Sequence, residues 1–278
     1  MTAISTFRFH IQLVDDLFIK GFSGRVVHGA FLQFLREFNE DLTQYLHDYT
    51  GKKPYSTTEM SFRKMGDNRV AFFDVNTMDD EIINNLIKLV IADDNLEIFV
   101  IDRFCPIFKI EYQKTTIPDP EILPVGTKIW LNFDSTTIFS STSRNANTDP
   151  YPHINVIWGQ MIDLYSRLVD NIPEQDQALL IQKILNQMAT PKFKVYSRHE
   201  TLGHKIKVTG FKGYILFMIE DSSDLELISP ILRLSDVWGI GGKTTMGFGR
   251  LNVKIDVPEV RKEKKSKELE KNIESSKE

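Results

Sequence analysis

The segment from Gly239 to Leu251 combines residue types that could bind an anion. It holds five glycines and two cations, Lys243 and Arg250, between an apolar helical run and a closing strand. Glycine lets a backbone approach a ligand closely and adopt positive φ angles without steric cost. Backbone N–H groups beside lysine and arginine form a concave site for anions. The glycines of this glycine-rich segment are Gly239, Gly241, Gly242, Gly247 and Gly249. We therefore predict an anion site here.

The fingerprints of nucleotide-binding loops do not fit this segment. A P-loop needs a glycine five residues before Gly242, where the chain has Val237, and a dinucleotide fingerprint from Gly239 needs a glycine at Thr244. Both fingerprints also follow a strand and precede a helix, whereas the order here is reversed. A polynucleotide backbone is therefore the leading candidate for the anion. A tight turn between two packed elements stays open as the alternative.

A second cationic stretch, residues 192–207, is predicted to form a strand, a turn and a strand. Phe193 and Tyr196 are interleaved with its cations. The cations are Lys192, Lys194, Arg198, Lys205 and Lys207. Cations at this spacing can follow a phosphate backbone, and aromatic rings can stack on bases. We predict an RNA-binding hairpin, and the alternative is an ordinary solvated hairpin whose aromatic rings point inward.

The composition indicates a cytoplasmic protein. The chain has 278 residues with 41% hydrophobic content, enough for one large domain or two ordinary ones. The single cysteine, Cys105, rules out an intrachain disulfide and fits a reducing cytosol. We expect neither a signal peptide nor a membrane span. The net charge of −4 is unlike that of many nucleic-acid-binding domains, but residues 190–214 carry mostly cations, so a local basic face is compatible with RNA.

The first half of the chain has the pattern of a ferredoxin-like unit. Phe7, Phe9, Ile11 and Leu13 alternate with polar residues and predict a half-buried strand over residues 6–14. The predicted helices are Arg25–Glu37, 39–50 and 79–91, and the further strands are Pro54–Phe62, Arg69–Val75 and Leu96–Ile101. This order is β-α-β-β-α-β, with one short extra helix.

The second half repeats the architecture without repeating the sequence. A further strand, Ile107–Gln113, is predicted before the linker. The predicted strands of the second half are Thr127–Phe133, Lys192–Tyr196, His204–Thr209, Gly213–Ile219 and Phe248–Ile255, and its predicted helices are 155–170, 174–188 and Asp224–Val237. We therefore predict an α+β fold of two tandem ferredoxin-like (RRM-like) domains. The predicted divisions are a domain at 1–114, a linker at 115–126, a domain at 127–257 with an exposed loop at 140–152, and a charged, disordered tail at 258–278.

Three stretches together resemble a known family. They are Phe211-Lys-Gly with Ile231–Trp238 and the glycine-rich segment, Tyr45–Ser56 with its Leu-His-Asp and Gly-Lys-Lys-Pro, and Gly24–Phe31 with its His-Gly-Ala-Phe. The chain resembles the CRISPR-associated repeat endoribonucleases of the RAMP (repeat-associated mysterious protein) superfamily over about residues 7–256. The glycine signature is also shared by RAMP subunits that bind RNA without cutting it.

The resemblance implies a reaction and its partners. Members cut the long CRISPR transcript once per repeat, without a metal or cofactor, as the substrate's own 2′-OH attacks the adjacent phosphate. The products are a 2′,3′-cyclic phosphate and a 5′-hydroxyl. The implied partner is CRISPR repeat RNA, with subunits of a CRISPR effector complex and a second copy of the chain as further partners.

The same resemblance suggests catalytic residues. The family's histidine falls on His47 and its lysine on Lys53, with Lys52 next to it. Histidine suits proton transfer near neutral pH, and a lysine suits the charge that develops on phosphate. Some members use a tyrosine on the first helix, which is absent here, so the second proton-transfer role stays open between His28, Tyr45 and positioning alone. A helix-end role for His47 and a core-edge role for His28 are the structural alternatives.

Other titratable residues favour structural roles. His199 and His204 flank a predicted turn but lack a third ligand, so no metal site is predicted.

Two other functions stay open: a non-catalytic RAMP subunit that binds repeat or guide RNA, and a general RNA-recognition protein of the same fold that binds through aromatic residues on its sheet.

Overall fold

The computed structural model describes most of the chain. The residues it describes are 2–14, 17–19, 21–49, 51–66, 68–92, 95–139, 151–202 and 207–258. Several predictions from the sequence fall outside these residues, namely those for His204 and Lys205, for most of the loop at 140–152, and for the tail beyond residue 258.

The N-terminal half forms the first sheet. Its elements are β1 (Ala3–Leu13), α1 (Gly24–Phe38), α2 (Glu40–Asp48), β2 (Tyr55–Thr57), β3 (Ser61–Met65), β4 (Asn68–Thr77), α3 (Asp80–Ala92), β5 (Glu97–Val100) and β6 (Arg103–Thr116). The strand order is β2-β4-β1-β6-β5, with β3 also paired to β4. All of these pairs are antiparallel.

Strand β1 lies at the centre of this sheet and fixes which face is buried. Phe7, Phe9 and Ile11 are fully buried, as their alternation predicted. The ring of Phe9 stacks on Phe73 of β4 with centroids 5.0 Å apart, and it meets Phe34 of α1 edge-on at 5.6 Å. The alternation of β1 therefore places α1 over the sheet.

The predicted closing strand of the first unit was wrong in its position. The stretch Leu96–Ile101 does form a strand, β5, but β5 lies at the outer edge of the sheet and β6 takes the place beside β1. The two are joined by a tight turn in which Ile101 has a φ of 63°. Two-residue hairpin turns usually contain glycine or asparagine at such positions, so an isoleucine here did not indicate a turn.

The predicted strand Pro54–Phe62 is also divided. It forms β2 and β3, which are separated by residues that turn toward the start of α1, where the backbone N–H of Met60 donates to the hydroxyl of Ser23 at 2.8 Å. This contact joins residues far apart in sequence, so alternation alone did not reveal the break.

The C-terminal half forms the second sheet. Its elements are β7 (Lys128–Thr137), α4 (Ile154–Leu168), α5 (Glu174–Gln187), β8 (Met188–Thr201), β9 (Lys207–Ile219), α6 (Ile228–Trp238), a 3-10 turn (Thr244–Met246) and β10 (Leu251–Asp256). Three strands were predicted between residues 192 and 219, but the structure has two long strands there, β8 and β9. The helix that was predicted from Asp224 begins at Ile228.

The order of the second sheet is β10-β7-β9-β8, so its last strand lies beside its first, as β6 lies beside β1. The predicted α+β fold of two tandem ferredoxin-like domains is confirmed. The core of this half contains Trp158 of α4 and Phe217 of β9, whose rings meet edge-on at 5.5 Å. The domain boundaries and the linker stay predictions.

The glycine-rich segment joins the two halves. The hydroxyl of Thr57 on β2 donates to the carbonyl of Thr245 at 2.8 Å, and the amide of Asn76 on β4 donates to the carbonyl of Val237 at 2.9 Å. A Cβ atom on Gly24, at the start of α1, would collide with the carbonyl of Met246. The segment therefore packs directly on α1 and β2, next to the predicted catalytic residues.

Candidate functional site

His28 lies on α1 and is half-buried where the two halves meet. Its Nδ1 is 3.3 Å from the hydroxyl of Tyr55 on β2, and the two rings are nearly parallel, with an interplanar angle of 11°. The backbone of Thr245 also forms a hydrogen bond with the ring. His28 is thus held between the first sheet and the glycine-rich segment.

His47 lies in the last turn of α2 and is exposed over 75% of its side chain. Its Nδ1 is 3.1 Å from a carboxylate oxygen of Asp48, which leaves Nε2 as the nitrogen available to a substrate. The other end of α2 is fixed by Asn39, whose side chain accepts a hydrogen bond from the N–H of Leu42 at 2.9 Å. This cap sets where the helix begins and hence which side His47 faces.

The ammonium of Lys53 closes the C-terminal end of α2. Its Nζ donates to the carbonyls of Leu46 at 2.5 Å, His47 at 2.9 Å and Tyr49 at 2.8 Å. An ammonium has three donors, and all three are used at a helix end that carries partial negative charge. Lys53 therefore holds the backbone that carries His47. Its role as the cation at the transition state stays a prediction.

The three residues predicted as catalytic, His28, His47 and Lys53, are connected, because Lys53 binds the carbonyl of His47, and Tyr55, two residues after Lys53, contacts the ring of His28. Burial lowers the pKa of His28, and the positive charges of Lys53, His47 and Lys243 lower it further, although the hydrogen bond to Thr245 acts in the opposite direction. These groups belong to α1, to the end of α2 and to the glycine-rich segment. A neutral imidazole surrounded by cations can accept a proton close to a bound phosphate.

A narrow cleft lies beside this cluster, between the two halves of the molecule. Lys52, Lys53 and Arg167 line one side of it, and the glycine-rich segment lines the other through Gly239 and Gly241. The concentration of cations at a narrow cleft favours a phosphate group.

Lys52 bridges the two halves at this cleft. Its Nζ donates to Asp163 of α4 at 2.7 Å and to Gln160 at 3.2 Å, and Arg167 contacts the same carboxylate at 3.2 Å. The cationic lining is therefore partly neutralised by one carboxylate.

Most glycines of the glycine-rich segment serve close packing. A Cβ atom on Gly247 would lie 2.6 Å from the backbone nitrogen of Glu59, and one on Gly249 would collide with the carbonyl of Ile240. Several backbone N–H groups of the segment, those of Gly239, Ile240, Gly242, Met246, Gly247, Gly249 and Arg250, donate to oxygen atoms of the protein. The tight-turn interpretation thus accounts for much of the segment. The exposed side chains of Lys243 and Arg250 are left to contact an anion.

The predicted RNA-binding strand β8 presents both charge and aromatic surface. Phe193 and Tyr196 are exposed over 48% and 56%, so the alternative with both rings turned inward is wrong. The ammonium of Lys192 lies 5.7 Å from the ring centre of Trp130, and Arg198 is paired with Glu200 at 3.2 Å. Lys194 and Lys207 are exposed on the same hairpin. This surface is suited to RNA, and its binding role stays a prediction.

The remaining predicted groups lie elsewhere. Tyr45 is exposed over 47%, and its ring meets that of Tyr49 edge-on at 5.6 Å. Cys105 is buried, and burial raises the pKa of its thiol. Within the described ranges, no group of three His, Cys, Asp or Glu side chains could hold a metal ion, and no helix is long and apolar enough to cross a membrane.

The sequence did not reveal three partners of the site. Tyr55 contacts His28, the Thr245 backbone holds its ring, and Asp163 neutralises Lys52. Tyr55 lies in the stretch Tyr45–Ser56 that carries the family resemblance, so its position beside Lys53 was a usable signal. Thr245 also lies in a stretch that carries the resemblance, the glycine-rich segment, whereas Asp163 had no signal.

Solved structures have the same fold of two ferredoxin-like units. The chain matches a Cas6 product complex with a TM-score of 0.69 and 18% identity, over 91% of this chain and 100% of that one. It matches Thermus thermophilus Cas6 with a TM-score of 0.62 and 15% identity, over 91% and 99% of the two chains. At these identities the likeness shows the fold.

The sequence comparisons specify the family. Residues 131–251 match the family model of the CRISPR-associated endoribonuclease Cas6. A CRISPR-associated endoribonuclease Cas6 from Streptococcus thermophilus is 21% identical over 238 residues, which cover 81% of this chain and 89% of that protein. The family resemblance predicted from the sequence is confirmed: the chain is similar in sequence to the CRISPR-associated endoribonucleases.

Proposed function

We propose that the protein is a metal-independent endoribonuclease that cuts CRISPR repeat RNA into guide RNAs. The observation that carries this proposal is the convergence of His28, His47 and Lys53 beside a cationic cleft that the glycine-rich segment lines. The relatives' activity supports the same reaction class. Cleavage takes place in the cytoplasm, where the protein hands the product to an effector complex, and a homodimer stays a further prediction.

The reaction needs two proton transfers. The 2′-oxygen attacks the adjacent phosphorus as a base takes its proton, and the bond from phosphorus to the 5′-oxygen breaks as an acid protonates that oxygen. A 2′,3′-cyclic phosphate and a 5′-hydroxyl result, and no further reactant is consumed. General acid–base catalysis of this type contributes about 10²–10⁴-fold to the rate.

We assign these transfers to the two histidines. Burial and the neighbouring cations lower the pKa of His28, so its ring is neutral at neutral pH, and it can act as the base when the 2′-hydroxyl takes the place of the Tyr55 hydroxyl at Nδ1. His47 is exposed and has Nε2 free, so it can protonate the leaving oxygen. Lys53 is the predicted cation of the phosphorane, and at minimum it holds the end of α2 in place.

RNA binding is assigned to three surfaces. The cleft holds the scissile phosphate through Lys52 and through the glycine-rich segment with Lys243 and Arg250, and the hairpin of β8 and β9 holds the flanking RNA. The proposed binding residues on that hairpin are Lys192, Lys194, Arg198 and Lys207, and Lys205, predicted from the sequence, lies outside the described residues.

The test is cleavage of labelled repeat RNA in EDTA, with a control RNA that carries a 2′-deoxy sugar at the cut site. We expect one cut by the wild type, none in the deoxy RNA, and at least about tenfold slower cutting by His47→Ala with binding retained, which corresponds to about 1.4 kcal/mol. Tyr45→Phe is the matched control on the same helix, and it should cut normally because residues two positions apart on a helix lie on different faces, so Tyr45 does not share the face of His47. Tight binding without any cut would instead indicate a non-catalytic RAMP subunit.

A further inference from the structure

The proposed cleavage leaves the source of one positive charge open. Negative charge develops on the non-bridging oxygens of the phosphorane, and a cation placed beside them is the largest single contribution that such sites make. Lys53 is the cation expected from the sequence. Its three donors, however, are all bound to carbonyls at the end of α2. To reach a phosphate, the ammonium of Lys53 would have to give up these hydrogen bonds, and the carbonyls at the end of α2 would lose their donor.

The other two cations of the cleft are also engaged. Lys52 and Arg167 both contact the carboxylate of Asp163, at 2.7 Å and 3.2 Å. Each therefore faces a negative charge that the protein already supplies, and each lies on the α4 side of the cleft rather than next to His28.

Lys243 differs from these cations in its surroundings. Its side chain is exposed, and in the part of the chain that the structure describes no side-chain hydrogen bond or ion pair engages it. Its backbone has a φ of 60° and a ψ of 33°, a left-handed conformation that is uncommon for a lysine. Such conformations persist where the surrounding structure enforces them, often at functional sites.

The surroundings of Lys243 fix it near the histidines. The 3-10 turn that it begins is held by two bonds to Thr245, one from the hydroxyl of Thr57 and one with the ring of His28. The turn also packs on α1, where Gly24 leaves no room for a Cβ atom against Met246. Lys243 precedes Thr245 by two residues, and Thr245 is bonded to β2, whose Tyr55 contacts the ring of His28.

We propose that Lys243 contacts the scissile phosphate and stabilises the charge of the phosphorane, and that Lys53 is a positioning residue that holds His47. This inference rests on the proposed RNA cleavage and changes which lysine supplies the charge. The glycine-rich segment thus presents a catalytic residue, and its tight packing fixes the position of that residue.

The decisive variant is Lys243→Asn, because asparagine removes the charge and tolerates the left-handed conformation. We expect the single-turnover cleavage rate at saturating protein to fall at least about 100-fold, as for the loss of one donor to a developing oxyanion. The dissociation constant for the 2′-deoxy repeat should change by only a few-fold. Lys243→Arg should restore most of the rate. The control for loss of charge is Lys183→Gln, which removes a lysine of α5 that pairs with Asp224. This variant should cut normally.

A sulfur substitution distinguishes direct contact from an indirect structural effect. With sulfur in place of one non-bridging oxygen at the cut site, the wild type should slow on one of the two diastereomers, and Lys243→Asn should show no additional slowing on it. A wild type that cuts, together with a Lys243→Asn protein that cuts equally fast, would overturn the role of Lys243 and leave the nuclease proposal standing. A wild type that never cuts would overturn both.

Discussion

At the residue scale, His28 shows how surroundings select a chemical role. Tyr55 from β2, the Thr245 backbone from the glycine-rich segment, and the cations Lys53 and Lys243 face its ring, together with His47. Burial raises the pKa of Tyr55, so the phenol keeps its proton and can donate to His28. A histidine with these neighbours is held neutral and oriented, which suits a base.

The protonation of His28 gives a prediction that does not depend on RNA. Burial and the neighbouring cations favour the neutral ring, so we expect its pKa to lie below the ordinary value of about 6.5. An NMR titration of the ring should show this, with the His28 signal assigned by its absence in His28→Gln. Lys243→Asn should move the midpoint upward because it removes a positive charge. A midpoint above the ordinary value would contradict the assignment of His28 as the base.

At the element scale, the end of α2 connects sequence to site. The pattern of apolar residues was sufficient to predict α1, α2 and α3 within a few residues. A helix that buries one face repeats its apolar residues with the helical period, and this pattern is local in the sequence. The use of Lys53 as a cap was not predictable, since it depends on how the turn after α2 folds back by six residues to His47. The spacing of Lys53 and His47 indicated that they are near each other. The structure shows that the ammonium of Lys53 donates to the backbone carbonyl of His47.

The cap predicts a specific loss of stability. Lys53→Met keeps most of the side-chain length but removes the donors, which leaves carbonyls at the helix end without partners. We expect the free energy of unfolding to fall by about 1–2 kcal/mol, measured by urea denaturation. Lys53→Arg should recover much of it. Lys64→Met, on the exposed strand β3, is the control and should stay within about 0.5 kcal/mol of the wild type.

At the scale of the whole molecule, the candidate site exists because two halves meet. The sequence predicted each ferredoxin-like unit, since alternation and helical periodicity are local. It did not predict that the glycine-rich segment packs on Gly24 and Glu59, or that Asp163 faces Lys52, because these contacts join residues more than 100 positions apart. The family resemblance supplied His47 and Lys53, and only the assembled fold added Tyr55 and the Thr245 backbone.

The bridge between the halves gives the last prediction. The carboxylate of Asp163 neutralises Lys52 and Arg167 at the edge of the cleft, where we place the RNA backbone. Both groups of the Lys52–Asp163 pair are about 40% exposed, so the pair contributes at most about 1 kcal/mol to stability. Asp163→Asn should therefore fold nearly normally while freeing two cations for phosphate. We expect tighter binding of repeat RNA, by a few-fold at low salt.

The salt dependence of binding checks the cause of this gain. Each cation that newly contacts phosphate should steepen the fall of affinity with salt, by about 0.7 in the logarithmic slope for single-stranded RNA. Asp224→Asn is the matched control. It changes the net charge by the same amount, but it removes the carboxylate that pairs with Lys183 of α5 instead of one at the cleft. Equal gains in the two variants would indicate a general charge effect. Weaker binding by Asp163→Asn would mean that the bridge is needed to hold the cleft in shape, because the two halves must keep their positions for the glycine-rich segment to face His28.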